Sequence, residues 1–76
     1  MSRLNYHHLY YFWHVAKSGN LTQSAQELHT SQSALSSQIK QLEHTMDVTL
    51  FERRGRKLIL SQAGQQALIL AQDIFS

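Results

Sequence analysis

Apolar residues recur at helical spacing in four stretches of the chain and crowd into two short β-prone runs between the third and the fourth. The first helical pattern opens after Asn5, a good cap residue, and runs to about Lys17. His8, Leu9, Phe12, Trp13, Val15 and Ala16 share one face of it, expected to be buried, with Tyr10 and Tyr11 at its margin. Ser18-Gly19-Asn20 stops it, because glycine tolerates the left-handed backbone of a helix end. Thr22 is expected to cap a short second helix from Gln23 to about Leu28, followed by a tight break at His29-Thr30-Ser31. Ser31 then caps a third helix, Gln32 to about Met46, whose apolar stripe is Leu35, Ile39, Leu42 and Met46.

After Asp47 the period changes. Val48 to Glu52 and Leu58 to Leu60 read as strands joined by the basic segment Arg53–Lys57 around Gly55, the pattern of a hairpin. Ser61 caps a last helix, Gln62 to the end, that is apolar on more than one side. The expected fold is mainly α, in the order three helices, a two-stranded hairpin and a final helix.

Composition adds limits. Seventy-six residues allow one small domain, and 42% hydrophobic content is too high for a disordered tail. With no cysteine, disulfide scaffolds, thiolate nucleophiles and structural cysteine–zinc sites are excluded. No apolar run approaches the ~20 residues of a membrane span and no signal-peptide pattern opens the chain, so a soluble cytoplasmic protein is expected. Of the seven lysines and arginines, four are Arg53, Arg54, Arg56 and Lys57. The remaining three cations face five carboxylates, so the chain is not broadly basic but carries one concentrated positive spot, which suits a polyanion.

Two helices joined by a tight turn form a helix-turn-helix, whose second helix enters the DNA major groove. Ala25 is small enough for the helices to approach, and Leu28, Leu35 and Ile39 are the expected contacts holding their angle. The opposite face of the third helix reads Gln32, Ser33, Ser36, Ser37 and Lys40, with no carboxylate until Glu43. Short Ser and Gln side chains let a helix come close to base edges, and Gln pairs with adenine through two hydrogen bonds. A solvated surface helix more often carries long charged residues and better helix formers than Ser. Arg53, Arg54, Arg56 and Lys57 are expected on a tight loop, gripping phosphates or a narrow minor groove. Thr22 and Ser31 are expected to fix helix ends whose amides hold phosphates.

These residues carry a resemblance. Thr22, Ala25, Leu28 and His29 at their spacing are followed by Ser31-Gln32-Ser33-Ala34-Leu35-Ser36, Gln38-Ile39 and Leu42-Glu43. Leu50-Phe51-Glu52-Arg53 and Ser61-Gln62-Ala63-Gly64 complete the set, and together they resemble the N-terminal domain of LysR-type transcriptional regulators. The segment Asn5 to Val15 is also similar to the sodium/proton antiporter activator subgroup. The resemblance implies a winged helix-turn-helix over residues 1–60 and the start of a dimerisation and linker helix over 61–76. It further implies a larger C-terminal domain, absent here, that binds a small-molecule or ion effector. Double-stranded DNA is the implied partner, with a homodimer through the last helix and a tetramer in the longer protein. Leu68, Leu70, Ala71, Ile74 and Phe75 are the expected dimer contacts. The chain departs from the family at Ser37, where many members are basic, at Asp47, where glycine is usual, and at Thr49, commonly proline.

Other chemistries have little support. The histidines 7, 8, 14, 29 and 44 offer no i, i+4 pair for zinc, so no metal or cofactor is expected. His7 and His14 are expected to be exposed or to meet a partner helix. No strained nucleophile turn accompanies the abundant serines, so no enzyme is expected. A protein-interaction module would need an apolar or acidic face on the third helix, and neither is visible.

Overall fold

The computed structural model describes residues 5–55 and 57–76, and its elements follow the expected order. Helix α1 (Tyr6–Ser18) begins at Asn5, whose Oδ1 accepts from the amides of His7 at 2.9 Å and His8 at 3.3 Å. It ends at Gly19, left-handed at φ 68°, whose amide donates to the Val15 carbonyl at 2.8 Å.

Helix α2 (Leu21–Glu27) corrects the expected start. Its cap is Asn20, which accepts from the Gln23 amide at 3.0 Å, while Thr22 sits inside the first turn. Both residues are competent caps; the left-handed turn at Gly19 delivers Asn20, two positions before Thr22, in the extended conformation that a cap requires. In the following turn His29 is left-handed (φ 57°), and the Thr30 amide reaches back to the Ala25 carbonyl at 2.9 Å. Helix α3 (Gln32–Met46) is capped by Ser31, which accepts from the Ala34 amide at 3.0 Å, and closed by Asp47 at φ 56°.

Strands β1 (Phe51–Arg54) and β2 (Lys57–Leu60) pair antiparallel, with Phe51 opposite Leu60, Arg53 opposite Leu58 and Arg54 opposite Lys57. The first strand therefore starts three residues later than expected. The cause lies in the backbone: the Val48 amide donates to the Glu43 carbonyl (3.1 Å) and the Leu50 amide to the Glu43 carboxylate (2.7 Å), so residues 48–50 are spent closing α3. Consequently Arg53, Arg54 and Lys57 lie in paired strands rather than on a loop, and Arg56 lies outside the described residues. Helix α4 (Gln62–Phe75) is capped by Ser61, which accepts from the Gly64 amide at 2.9 Å.

Two apolar clusters hold these elements. Leu9, Phe12, Leu42, Leu50, Ala67 and Ala71 join α1, α3 and α4. Val15, Ala25, Leu35 and Ile39 set α2 against α3 and so fix the helix-turn-helix angle. Phe12 meets Phe51 at a centroid distance of 5.3 Å, tying the hairpin to the centre. Each fully buried Leu or Phe contributes about 1.5–3 kcal/mol. Trp13 Nε1 donates to Gln72 Oε1 at 2.9 Å, which fastens α1 to α4.

Two expectations about faces need correction. His14 is half-buried and intramolecular: its Nδ1 lies 3.3 Å from Ser24 Oγ and its Nε2 3.3 Å from Glu27 Oε1, because α2 folds back against that side of α1. Ala71 belongs to the chain's own core, and Leu68 and Phe75 pack against that core, the small alanine side chain leaving room for α4 beside α1. Leu70 and Ile74 remain exposed, at 46% and 43%, and are joined by Ile69 at 62%.

Candidate nucleic-acid interface

Burial of Leu35, Ile39 and Leu42 turns the apolar stripe of α3 inward and leaves its Ser/Gln face outward. Gln32, Ser33, Ser37 and Lys40 are exposed and Ser36 is half-buried. At the foot of this face, α3 and the hairpin enclose a hollow of about 220 Å³, with Leu21, Ile39, Phe51 and Leu58 as apolar lining and Ser36, Lys40, Glu43 and Arg53 as polar groups. The hollow opens into a trough along Gln32, Ser33, Ser36, Ser37 and Lys40. On its other side it continues past Asn20 and Thr22 to Lys57. Thus the fold brings Thr22, Gln32, Ser33, Ser36, Ser37, Lys40, Arg53 and Lys57, separated by up to 35 positions, onto one surface.

The hairpin divides the basic cluster that the sequence presents as a unit. Strand alternation puts Arg53 on the same face as Phe51 and beside Leu58, toward the hollow, and Arg54 on the opposite face with Glu52. Ser31 is exposed, with its hydroxyl oxygen engaged by the Ala34 amide. Among the described residues, Lys40, Arg53, Arg54 and Lys57 have no carboxylate within ion-pair distance. Their charge is available to a polyanion.

Three contributors escaped sequence reasoning. Asn20 could have been found as a cap signal equal to Thr22. Leu21 lines the hollow and all of its extensions, and no motif in the sequence singles it out. Glu43 reads as the first carboxylate at the end of a polar stripe, yet its Oε2 accepts from the Leu50 and Phe51 amides at 2.7 and 3.3 Å. Nothing in its spacing announces that contact.

Helix α3 set on α2, with a paired hairpin beside it and cations along the seam, defines a winged helix-turn-helix DNA-binding domain. Residues 6–65 match the family described as bacterial regulatory helix-turn-helix protein, lysR family. The transcriptional activator protein NhaR of Escherichia coli is 40% identical over 76 residues, all of this chain and 25% of that protein. The Hca operon transcriptional activator HcaR of the same organism is 50% identical over 58 residues, 76% of this chain and 20% of that protein. The chain thus spans a fifth to a quarter of the length of these curated relatives. Among solved structures, the DNA-binding domain of CbnR in complex with DNA superposes with a TM-score of 0.85 at 37% identity, covering 92% of this chain and 80% of that one. Vibrio fischeri DarR in complex with DNA superposes at 0.87 with 28% identity, covering 95% of this chain and 25% of that one. The chain belongs to the LysR family of bacterial transcription regulators and is its DNA-binding helix-turn-helix domain. The relatives are regulators, not enzymes.

Proposed function

We propose that this domain reads double-stranded DNA by laying α3 in the major groove and setting the hairpin on the neighbouring minor groove. The observation that carries this is the single trough joining the α3 polar face to Arg53. Adjacent grooves of a duplex are separated by one sugar-phosphate strand. An α3 in one groove and a wing on the next leave that strand passing between them, where Ser36, Lys40 and Arg53 surround an apolar hollow. Helix α3, about 10–12 Å across with its side chains, matches a groove ~12 Å wide. Gln32, Ser33, Ser36 and Ser37 are the base-reading residues. Lys40, Arg53, Arg54, Arg56 and Lys57 bind phosphates, as do the Thr22 hydroxyl and the amides at the Ser31-capped start of α3.

The resemblance to much longer regulators supports a division at about residue 60, with α4 leading toward an effector-binding domain. Exposed Leu70 and Ile74, with Ile69 beside them, form the face through which two copies pair, and the longer protein is a tetramer responding to a small molecule or ion. Its place is with the chromosome in the bacterial cytoplasm.

Fluorescence anisotropy on a duplex selected from a random pool tests the DNA reading. Gln32→Ala should cost about 1–3 kcal/mol on the selected site and little on unrelated sequence. Arg53→Ala should weaken both alike and flatten the salt dependence by about 0.9 in log–log slope. An Arg53→Ala protein with wild-type salt dependence refutes the wing's role. No selected duplex at all would favour a protein-interaction module.

A further inference from the structure

We propose that Glu43 is a positioning residue for the DNA contact: its carboxylate holds the hairpin at a set distance from α3, so that Arg53 faces the strand gripped by Lys40 and Ser36. The inference rests on the DNA-binding reading above and adds a part to it. Glu43 lies on α3 one turn beyond Lys40, half-buried, in the lining of the hollow. A carboxylate in a surface meant for phosphates opposes binding through like-charge repulsion unless it is engaged elsewhere. Here it is engaged: Oε2 accepts from the amides of Leu50 (2.7 Å) and Phe51 (3.3 Å), the last residue before β1 and the first within it. Such charge-assisted bonds are about twice as strong as neutral ones.

The same segment is held from behind by α4. The Ser61 amide donates to the Leu50 carbonyl at 2.9 Å, and the Ser61 hydroxyl donates to the Thr49 carbonyl. These contacts tie the segment to α4, whereas the Glu43 carboxylate ties the start of β1 to α3. Arg53 follows Phe51 by two residues on the same strand face, so any swing at Phe51 moves Arg53 out of the hollow.

The test compares Glu43→Ala, Glu43→Gln and Arg53→Ala with the wild-type chain, and Glu43→Ala with and without Arg53→Ala. Duplex affinity is measured across 50–200 mM salt, with thermal melting alongside. Glu43→Ala should bind about tenfold more weakly, with a log–log salt slope shallower by about 0.9, one phosphate contact. Glu43→Gln keeps an oxygen that accepts both amides and should recover binding to within about threefold of wild type. In the Arg53→Ala background, Glu43→Ala should change affinity less than about twofold, because the group it positions is gone. Should Glu43→Ala fail to fold, Glu43→Asp, one methylene short of the two amides, carries the same expectation at about threefold. Wild-type affinity and slope in Glu43→Ala, or an equal loss with and without Arg53, overturns the proposal. Wild-type slope in Arg53→Ala alone refutes instead the wing contact on which it is built.

Discussion

Replacing Gly64 by alanine sets two physical effects against each other. Gly64 lies in the first turn of α4, buried, with no left-handed backbone to excuse a glycine. Helix propensity alone favours alanine there by about 0.8–1 kcal/mol. Packing forbids it. A Cβ at Gly64 would collide with the Leu50 carbonyl oxygen and stand 3.1 Å from its carbon and 2.9 Å from Leu60 Cδ2. The Leu60 methyl can rotate away, but the Leu50 carbonyl is backbone and accepts the Ser61 amide at 2.9 Å. Leu50 is itself fully buried. Relief therefore requires α4 to lift from the chain entering β1, at an overpacking cost of about 1–3 kcal/mol and a strained or lost hydrogen bond of about 1–3 kcal/mol. After subtracting the propensity gain, the expected net loss is about 1–5 kcal/mol, centred near 3 kcal/mol. A domain of this size holds only about 4–11 kcal/mol in all. At about 4–8 °C per kcal/mol, a central loss near 3 kcal/mol lowers the midpoint by about 12–24 °C. Urea and thermal unfolding followed by circular dichroism measure this, with exposed Gln65→Ala as the propensity control. A Gly64→Ala domain that melts at or above wild type would refute the close-approach argument.

Other outcomes follow from the same geometry. Asp47→Gly should stabilise the domain by about 0.5–1 kcal/mol, because Asp47 occupies a left-handed cap at φ 56° where glycine is unstrained; denaturant titration checks the sign. Leu70→Glu with Ile74→Glu should leave monomer stability within about 0.5 kcal/mol, both side chains being exposed. The pair should abolish the self-association proposed for α4, read by sedimentation equilibrium against the wild-type chain. A wild-type chain that stays monomeric at millimolar concentration would overturn that use of α4.

The legible parts of this molecule are those decided within a few residues. Asn5, Ser31 and Ser61 act as caps because each oxygen needs to reach only amides two or three positions ahead, a contact that any chain entering a helix there makes. The 4, 3, 4 spacing of Leu35, Ile39, Leu42 and Met46 fixes which side of α3 turns inward, and with it the Ser/Gln face. Ambiguity begins where two local solutions compete. Thr22 and Asn20 are both good caps, and the winner depends on the conformation that Gly19 delivers.

Local pattern alone therefore determined the helices, their order, the polar face of α3 and the presence of a basic hairpin. It could not place residues whose partners are distant along the chain. The strand start at Phe51, the division of Arg53 from Arg54 and the inward side of α4 depend on which amides and methyl groups other elements present. Periodicity measures the angle around one axis, not the distance between two. Only the assembled core brought Glu43 to Leu50, sealed Ala71 inside while leaving Leu70 and Ile74 outside, and lined up Lys40 with Arg53.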